Sequence, residues 1–485
     1  MPATTVLTRK INLWTTISIV AGSVIGSSIF MKPAIMAGQL GSPLLLLFVW
    51  IFAGVVSMMG AAINAEIGAM LPVTGGQYVF FQKMYGDFFA YLYGWACFAV
   101  INTASVASIA YIFSQYLQYF IELPHFSTVI EHSWQINMPF IGRLYPLENF
   151  GVKTVTIFII MGLTWINGYS VKAGGTVQLV FSIIKVTSLL LMISLVFFSE
   201  KGSANNFIQN SSNLHLSGWA LLGGMVAALS GAFAAYDGWN NIGFVAGEIN
   251  NPKKNIPRGM FIGLGLCILL YVLTNQAYLY ILPVDIMAKS SLVATDALQP
   301  ILGNKGVSLI ALLVMMSAFG ATNGNILACA RVSFAMAREG VFFKKIGNVH
   351  PKHATPFNAL WLHGVWTSLF VLTGSFDMLT DLFVFITWIF YGFGAVGIFI
   401  LRKKMPDAER PYKAWGYPVA PAIFVLFSAF YFVITLYTDI DNYITGKTHF
   451  ISSVFGLVLT ALGIPLYFYF KHHYRNRPGQ QAEKY

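Results

Sequence analysis

Charge is scarce in this chain. Only 10% of its 485 residues are Asp, Glu, Lys or Arg, while 56% are hydrophobic. A soluble globular protein cannot clothe that much apolar surface, so the composition points to a polytopic membrane protein. Cysteine is nearly absent as well. Cys97, Cys267 and Cys329 all fall inside apolar runs, which excludes a surface disulfide framework, and none has metal-ligand spacing. The chain has no glycine-rich phosphate loop, no Cys/His cluster, no nucleophile elbow and no low-complexity tract. No cofactor and no metal are expected. An embedded enzyme would need intramembrane acid–base or ligand clusters, and a channel would need repeated pore-lining filters; neither pattern is present. The net charge of +11 would suit a nucleic-acid partner, but the charges sit in the gaps between apolar runs. That is the pattern of membrane topology, and no nucleic-acid partner is expected.

Twelve apolar spans are expected, at about 12–37, 42–71, 87–121, 151–169, 175–199, 217–247, 258–282, 304–336, 356–374, 378–401, 417–438 and 449–471. Each is long enough for a tilted helix of about 20 residues per crossing. The first follows Arg9 and Lys10 but leads into no soluble domain, so it reads as a retained span and not as a signal peptide. Lys and Arg crowd the loops on the N-terminal side, among them Lys253, Lys254, Arg338, Lys344, Lys345 and the run Arg402-Lys403-Lys404. The opposite loops hold a scatter: Lys32, Arg143, Lys153 and Lys447. Both termini are therefore expected in the cytoplasm, with the lipid bilayer of the inner membrane as solvent. The loop at 122–150 reads as a polar cap, residues 285–300 as short interfacial helices, and 472–485 as a polar cytoplasmic tail.

Two spans are interrupted where a helix should be most regular. In Ala21-Gly-Ser-Val-Ile-Gly-Ser-Ser-Ile-Phe30, two glycines and three serines fall within eight residues of the first span. In Gly231-Ala-Phe-Ala-Ala-Tyr-Asp-Gly-Trp239, the sixth span is broken likewise. Glycine weakens a helix interior and serine competes for its hydrogen bonds. Hydrocarbon tolerates such a break only where it lines a protein-walled or wet cavity. Interrupted helices at matching places in two halves point to a transporter binding site. Five spans in 12–199 and five in 217–401 would insert in opposite orientations, giving a 5+5 inverted repeat with discontinuous helices one and six. Residues 1–11 precede the first repeat, and 417–471 carry the last two spans.

In this reading the freed NH groups of Gly26, Ser27 and Ser28, beside Val24, face an anionic group such as a substrate carboxylate. Freed carbonyls of Ala234, Ala235 and Asp237 accept from an ammonium, and Tyr236 and Asn240 add wall contacts. The plainer alternatives are a small-residue packing face at the first break and an ordinary glycine kink at the second. Lys185, about ten residues into the fifth span, costs ~3 kcal/mol or more to insert and is a functional candidate by default. Snorkelling is its bland alternative. Asp237 either braces the unwound segment or tunes the site. Glu66 and Glu248 fit salt bridges at the inner span ends better than proton relays. His363 reads as a packing histidine, and Ala104, Ser105 and Ser108 as a small-residue face.

Four sets of residues stand out: Ala65-Glu-Ile-Gly-Ala-Met-Leu-Pro-Val-Thr-Gly-Gly-Gln-Tyr78; Asn167-Gly-Tyr-Ser-Val-Lys-Ala-Gly174 with Gln178, Phe181 and Lys185; Tyr236-Asp-Gly-Trp239 with Ala246-Gly-Glu248, Asn251-Pro252-Lys253 and Ile256-Pro-Arg258; and Asn323-Gly324 with Arg331 and Arg338-Glu-Gly340. They resemble the L-type amino acid transporter family of the APC superfamily, and the third set resembles its bacterial serine/threonine exchanger branch. The resemblance covers about residues 10–415. It implies an all-α integral membrane protein of leucine-transporter-like fold and sodium-independent transport of amino acids, often by exchange. It further implies that the Lys185 ammonium takes the place of a sodium ion, bridging to carbonyls near Gly22–Ile25 and to Asn325. Two positions depart from the family: Gly26-Ser27-Ser28 stands where Gly-Ser-Gly is usual, and Ala234 stands where an aromatic gate is common, with Phe233 one residue earlier. The loop between spans three and four has no cysteine, so no disulfide-linked accessory subunit is expected. Exchange of small or medium neutral L-amino acids is the expected activity, and proton-coupled symport of amino acids or amines is the alternative.

Overall fold

The chain folds as a bundle of long helices whose two ends are chemically unlike. The structure is a computed structural model and describes residues 9–72, 75–169, 185–212, 214, 216–353 and 355–475. Among the described residues, nine helical segments are long and apolar enough to cross a membrane. Three expected spans lie outside that set. The first is split into α1 (Leu13–Val24) and α2 (Lys32–Leu40). The fifth is described only from Lys185, as α9 (Lys185–Phe197). The ninth, α14 (Phe357–Thr373), has 17 residues. The hinge motif beyond Tyr169, with Gln178 and Phe181, lies outside the described residues.

The helix α15 (Phe376–Lys404) shows how sequence sets these elements. Ser375 Oγ caps its start by accepting from the Met378 NH at 3.4 Å, and Asp377 stands in the first turn. Arg402, Lys403 and Lys404 fill the last turn. Acid at the amino end and base at the carboxyl end both favour the helix dipole. Its 29 residues span about 43 Å at 1.5 Å per residue. It therefore runs the depth of the bundle, from Asp377 at one end to Arg402 at the basic end.

At the basic end, α3 (Pro43–Met70) presents Glu66, which is 2% exposed. Arg402 grips it through two bonds, Nε to Oε1 at 2.9 Å and Nη2 to Oε2 at 2.8 Å. Arg410 Nε lies 3.7 Å from Oε1, and the Ala414 NH donates to Oε2 at 2.6 Å. The carboxylate thus staples α3 to α15 and to the loop that follows it. This is the salt-bridge role expected of Glu66. Glu248 makes no ion pair among the described residues; its carbonyl instead accepts from the NH groups of Lys10 and Ile11 at 2.9 and 3.0 Å.

The opposite end holds one element unlike the helical remainder. Within the loop at 122–150, β1 (Ile136–Met138) and β2 (Gly142–Leu144) form an antiparallel hairpin with Asn137 opposite Arg143. Arg143 NH to His449 O and Ile451 NH to Ile141 O clasp it to the start of the last span. The expected interfacial helices at 285–300 are α12 (Val284–Met287) and the first turns of α13 (Val293–Arg338), which kinks at Gly303.

The Glu66 staple makes a stability prediction. Glu66→Ala leaves two guanidinium groups without their buried counter-charge and is expected to cost about 3 kcal/mol, read as a lowered melting temperature in detergent. Arg402→Lys should fall between it and the parent, because an ammonium cannot make the paired bond. An unshifted melt in Glu66→Ala would remove the staple from the account of stability.

Candidate functional site

The two interruptions meet. The first break falls at Ile25 and Gly26, between α1 and a 3₁₀ turn at Ser27–Phe30 that leads into α2. The second falls at Asp237 and Gly238, between α10 (Gly218–Tyr236) and a 3₁₀ segment at Trp239–Glu248. Gly238 has φ of 108°, a region that strains other residues, and a Cβ there would lie 2.7 Å from the Ser23 carbonyl oxygen. The backbone of one break therefore rests directly on the other, and only glycine permits the approach.

The carbonyls freed by the first break are claimed by neighbouring helices. Lys185 Nζ, on α9, donates to the Ile25 carbonyl at 3.1 Å. Lys185 is 5% exposed, so it does not snorkel in this arrangement. Asn325, expected to join it, donates instead to the Ala321 carbonyl of its own helix at 2.9 Å. No hydrogen bond joins Asn325 to Lys185 among the described residues; the bond within α13 satisfies the amide locally.

Sequence reasoning missed Tyr271, on α11 (Pro252–Ile281). Its hydroxyl lies 2.9 Å from the Val24 carbonyl, 3.2 Å from the Ala235 carbonyl and 3.2 Å from the Gly26 NH. One phenol therefore bridges both breaks, and it holds two of the backbone groups, Gly26 NH and Ala235 CO, that the sequence leaves free for a ligand. A tyrosine between leucines and valines carries no periodic or charge signal, so nothing in the sequence singles it out.

The other site residues gather around this point. Ser27 is fully buried, and among the described residues its hydroxyl has no partner and no side chain caps the 3₁₀ turn at Gly26. Ser28 and Asn240 are each 9% exposed. Tyr236 is buried, its hydroxyl has no partner among the described residues, and its ring meets Trp50 and Tyr271. Asp237 accepts from the Tyr391 hydroxyl at 2.6 Å, which ties the second break to α15 and gives the carboxylate a bracing role. The Phe233 ring lies tilted against Trp388, 3.9 Å between centroids, and edge-on to Tyr431. Beside the site, Ser108 Oγ bonds the Ser105 carbonyl, and His363 pairs with Ser333 at 3.0 Å as a packing histidine.

A charged cluster closes the end away from the basic loops. Lys32, 2% exposed, lies 2.6 Å from Asp377 and 3.6 Å from Asp381, and Ser230 of α10 donates to Asp381 at 2.7 Å. The halves α2 and α10 are thereby tied to α15. Lys32 entered the sequence reading only as a loop charge; its place directly before Pro33 within the first span was the available signal.

Removing the Tyr271 hydroxyl tests the bridge. Tyr271→Phe keeps the ring but leaves buried backbone groups without partners, at about 1–3 kcal/mol. The expected result is a lower melting temperature for the substrate-free protein; an unchanged one would show that the hydroxyl does not hold the breaks together.

Comparison with known proteins agrees with this geometry. The amino acid permease family model matches residues 11–461. The chain is 30% identical to human "Large neutral amino acids transporter small subunit 2" over 483 residues, 96% of this chain and 82% of that protein. It is 28% identical to the human "b(0,+)-type amino acid transporter 1" over 436 residues, 88% of this chain and 83% of that protein. It is also 28% identical to "Serine/threonine exchanger SteT" of Bacillus subtilis over 465 residues, 95% and 97% of the two chains. The chain belongs to the amino acid permease family, in the L-type branch of the APC superfamily, and is a multi-pass membrane transporter of amino acids, not an enzyme.

Proposed function

We propose that this transporter exchanges small or medium neutral L-amino acids without sodium, by alternating access around the paired breaks. The observation that carries this reading is the Lys185 ammonium on the Ile25 carbonyl at 3.1 Å. A fixed cation seated on the backbone of the first break occupies the place where a sodium ion would need carbonyl oxygens, and it repels a second cation. The name of the bacterial relative, a serine/threonine exchanger aligned over nearly all of both chains, favours small polar substrates and exchange.

In this reading the substrate carboxylate meets the NH groups of Gly26, Ser27 and Ser28, and the ammonium meets carbonyls at Ala234, Ala235 and Asp237, with the substrate displacing the Tyr271 hydroxyl from the Gly26 NH and the Ala235 carbonyl. Val24, Tyr236 and Asn240 line the space between. The scaffold is a leucine-transporter-like fold of twelve spans, with inverted repeats in 12–199 and 217–401 and two added spans in 417–471. Both termini lie in the cytoplasm of a cell whose inner membrane holds the protein, so the basic end faces inward. Cys97, Cys267 and Cys329 are buried and free, which favours a carrier without a disulfide-linked subunit. Proton-coupled symport is the second reading, favoured by the same buried Lys185, a titratable group at the break.

Flux in liposomes separates these. Replacing external sodium by choline should leave uptake unchanged, and internal amino acid should be required for it. A steep sodium dependence would overturn the reading. Uptake into empty liposomes driven by an inward proton gradient would establish the symporter instead.

Lys185→Ala gives an independent check. The substrate touches backbone groups, while the lysine biases the balance between the two open states. The variant should therefore slow flux far more than it weakens equilibrium binding by calorimetry. Proportional loss of both in a well-folded protein would count against a gating role.

A further inference from the structure

Two of the motifs quoted above lie far apart in sequence and touch in space. The short helix α4 (Gly76–Tyr85) follows α3 at the basic end, and its Tyr78 hydroxyl donates to Glu339 Oε2, just past α13, at 2.6 Å. A tyrosine on a carboxylate at that length is a charge-assisted bond. Other contacts fix α4 to the scaffold: Tyr85 donates to the Phe393 carbonyl at 2.6 Å, and Lys404 caps the helix at the Met84 carbonyl at 2.9 Å.

The opposite side of α4 rests on the segment that follows the second break. A Cβ on Gly243 would lie 2.9 Å from the Gly76 Cα, so the two backbones touch with no side chain between them. Gly76 at φ of 54° and Gly86 at φ of 93° turn the chain into and out of the helix. Between α4 and the site is a narrow cavity of about 10 Å³, lined by Asn64, Gln77, Trp239 and Tyr391, the last of which holds Asp237. It has the room of about one water.

We propose that α4 is a strap that closes the route between the site and the basic end, seated on Trp239–Glu248 at the Gly76–Gly243 contact and fastened to α13 by the Tyr78–Glu339 bond. The inference rests on the alternating-access reading, since a strap matters only where the site opens to that end. When the segment Trp239–Glu248 moves out, Gly243 leaves Gly76 and the cavity at Asn64 and Gln77 widens into a passage. The Tyr78–Glu339 bond holds the strap against α13 and sets how often this happens.

Accessibility of the cavity tests the strap without reference to substrate or sodium, so its outcome is separate from that of the flux experiments. A cysteine placed by Asn64→Cys in the full-length chain is labelled with a membrane-impermeant maleimide from the basic side of oriented vesicles, with site-resolved mass spectrometry. Tyr78→Phe and Glu339→Ala should each speed labelling about tenfold, the factor for one charge-assisted hydrogen bond, and the double variant should do no more than either alone. Gly243→Ala, which forces the seat apart and leaves the fastening intact, should speed labelling as well. Labelling at the parental rate in Tyr78→Phe, or effects of the two variants that multiply, would overturn the proposal. So would a parallel rise at the buried Cys267 and Cys329, which would report general unfolding.

Discussion

Backbone that leaves a helix inside hydrocarbon must find partners, and this requirement governs the centre of the molecule. At the two breaks, the partners come from elements remote in sequence. The Val24 and Ala235 carbonyls go to Tyr271, the Ile25 carbonyl to Lys185, and the Asp237 carboxylate to Tyr391. Three helices are therefore recruited to hold two short breaks in the chain. A helical bundle can thus hold two stretches of unwound backbone in its interior.

The charged contacts at the two ends extend the same logic. Glu66 with Arg402 and Arg410 lies at the basic end, and Lys32 with Asp377 and Asp381 at the other. Helix α15 contributes to both, and to Asp237 between them through Tyr391. A single rigid element thus touches both ends and the centre. Buried ion pairs add little net stability against apolar packing, but each is costly to leave half-made. That makes such pairs suited to switching between two complete arrangements rather than to a graded opening.

Much of this plan was legible in the sequence. Composition announced the membrane, and the clustering of Gly22, Ser23, Gly26, Ser27 and Ser28, with Tyr236-Asp237-Gly238 in the later half, announced both breaks. Lys185 stood out because a charge in an apolar run is expensive and visible. Tyr271 and Tyr391 did not stand out, because a tyrosine blends into an apolar helix and its hydroxyl acquires meaning only from a partner on another element. The Lys185–Asn325 contact shows the converse: an amide that could reach across is satisfied more simply by the carbonyl one turn back, a choice that spacing does not reveal. The hairpin at 136–144 escaped because its strands are three residues long and lean on the chain near His449.

The bridging phenol couples the two breaks to each other. A tyrosine hydroxyl owns one proton, yet Tyr271 faces two carbonyl acceptors, Val24 at 2.9 Å and Ala235 at 3.2 Å. At any instant its proton can point to only one of them. Whichever carbonyl takes it, the other loses it, so the hydroxyl can hold one broken helix at full strength only at the other's expense.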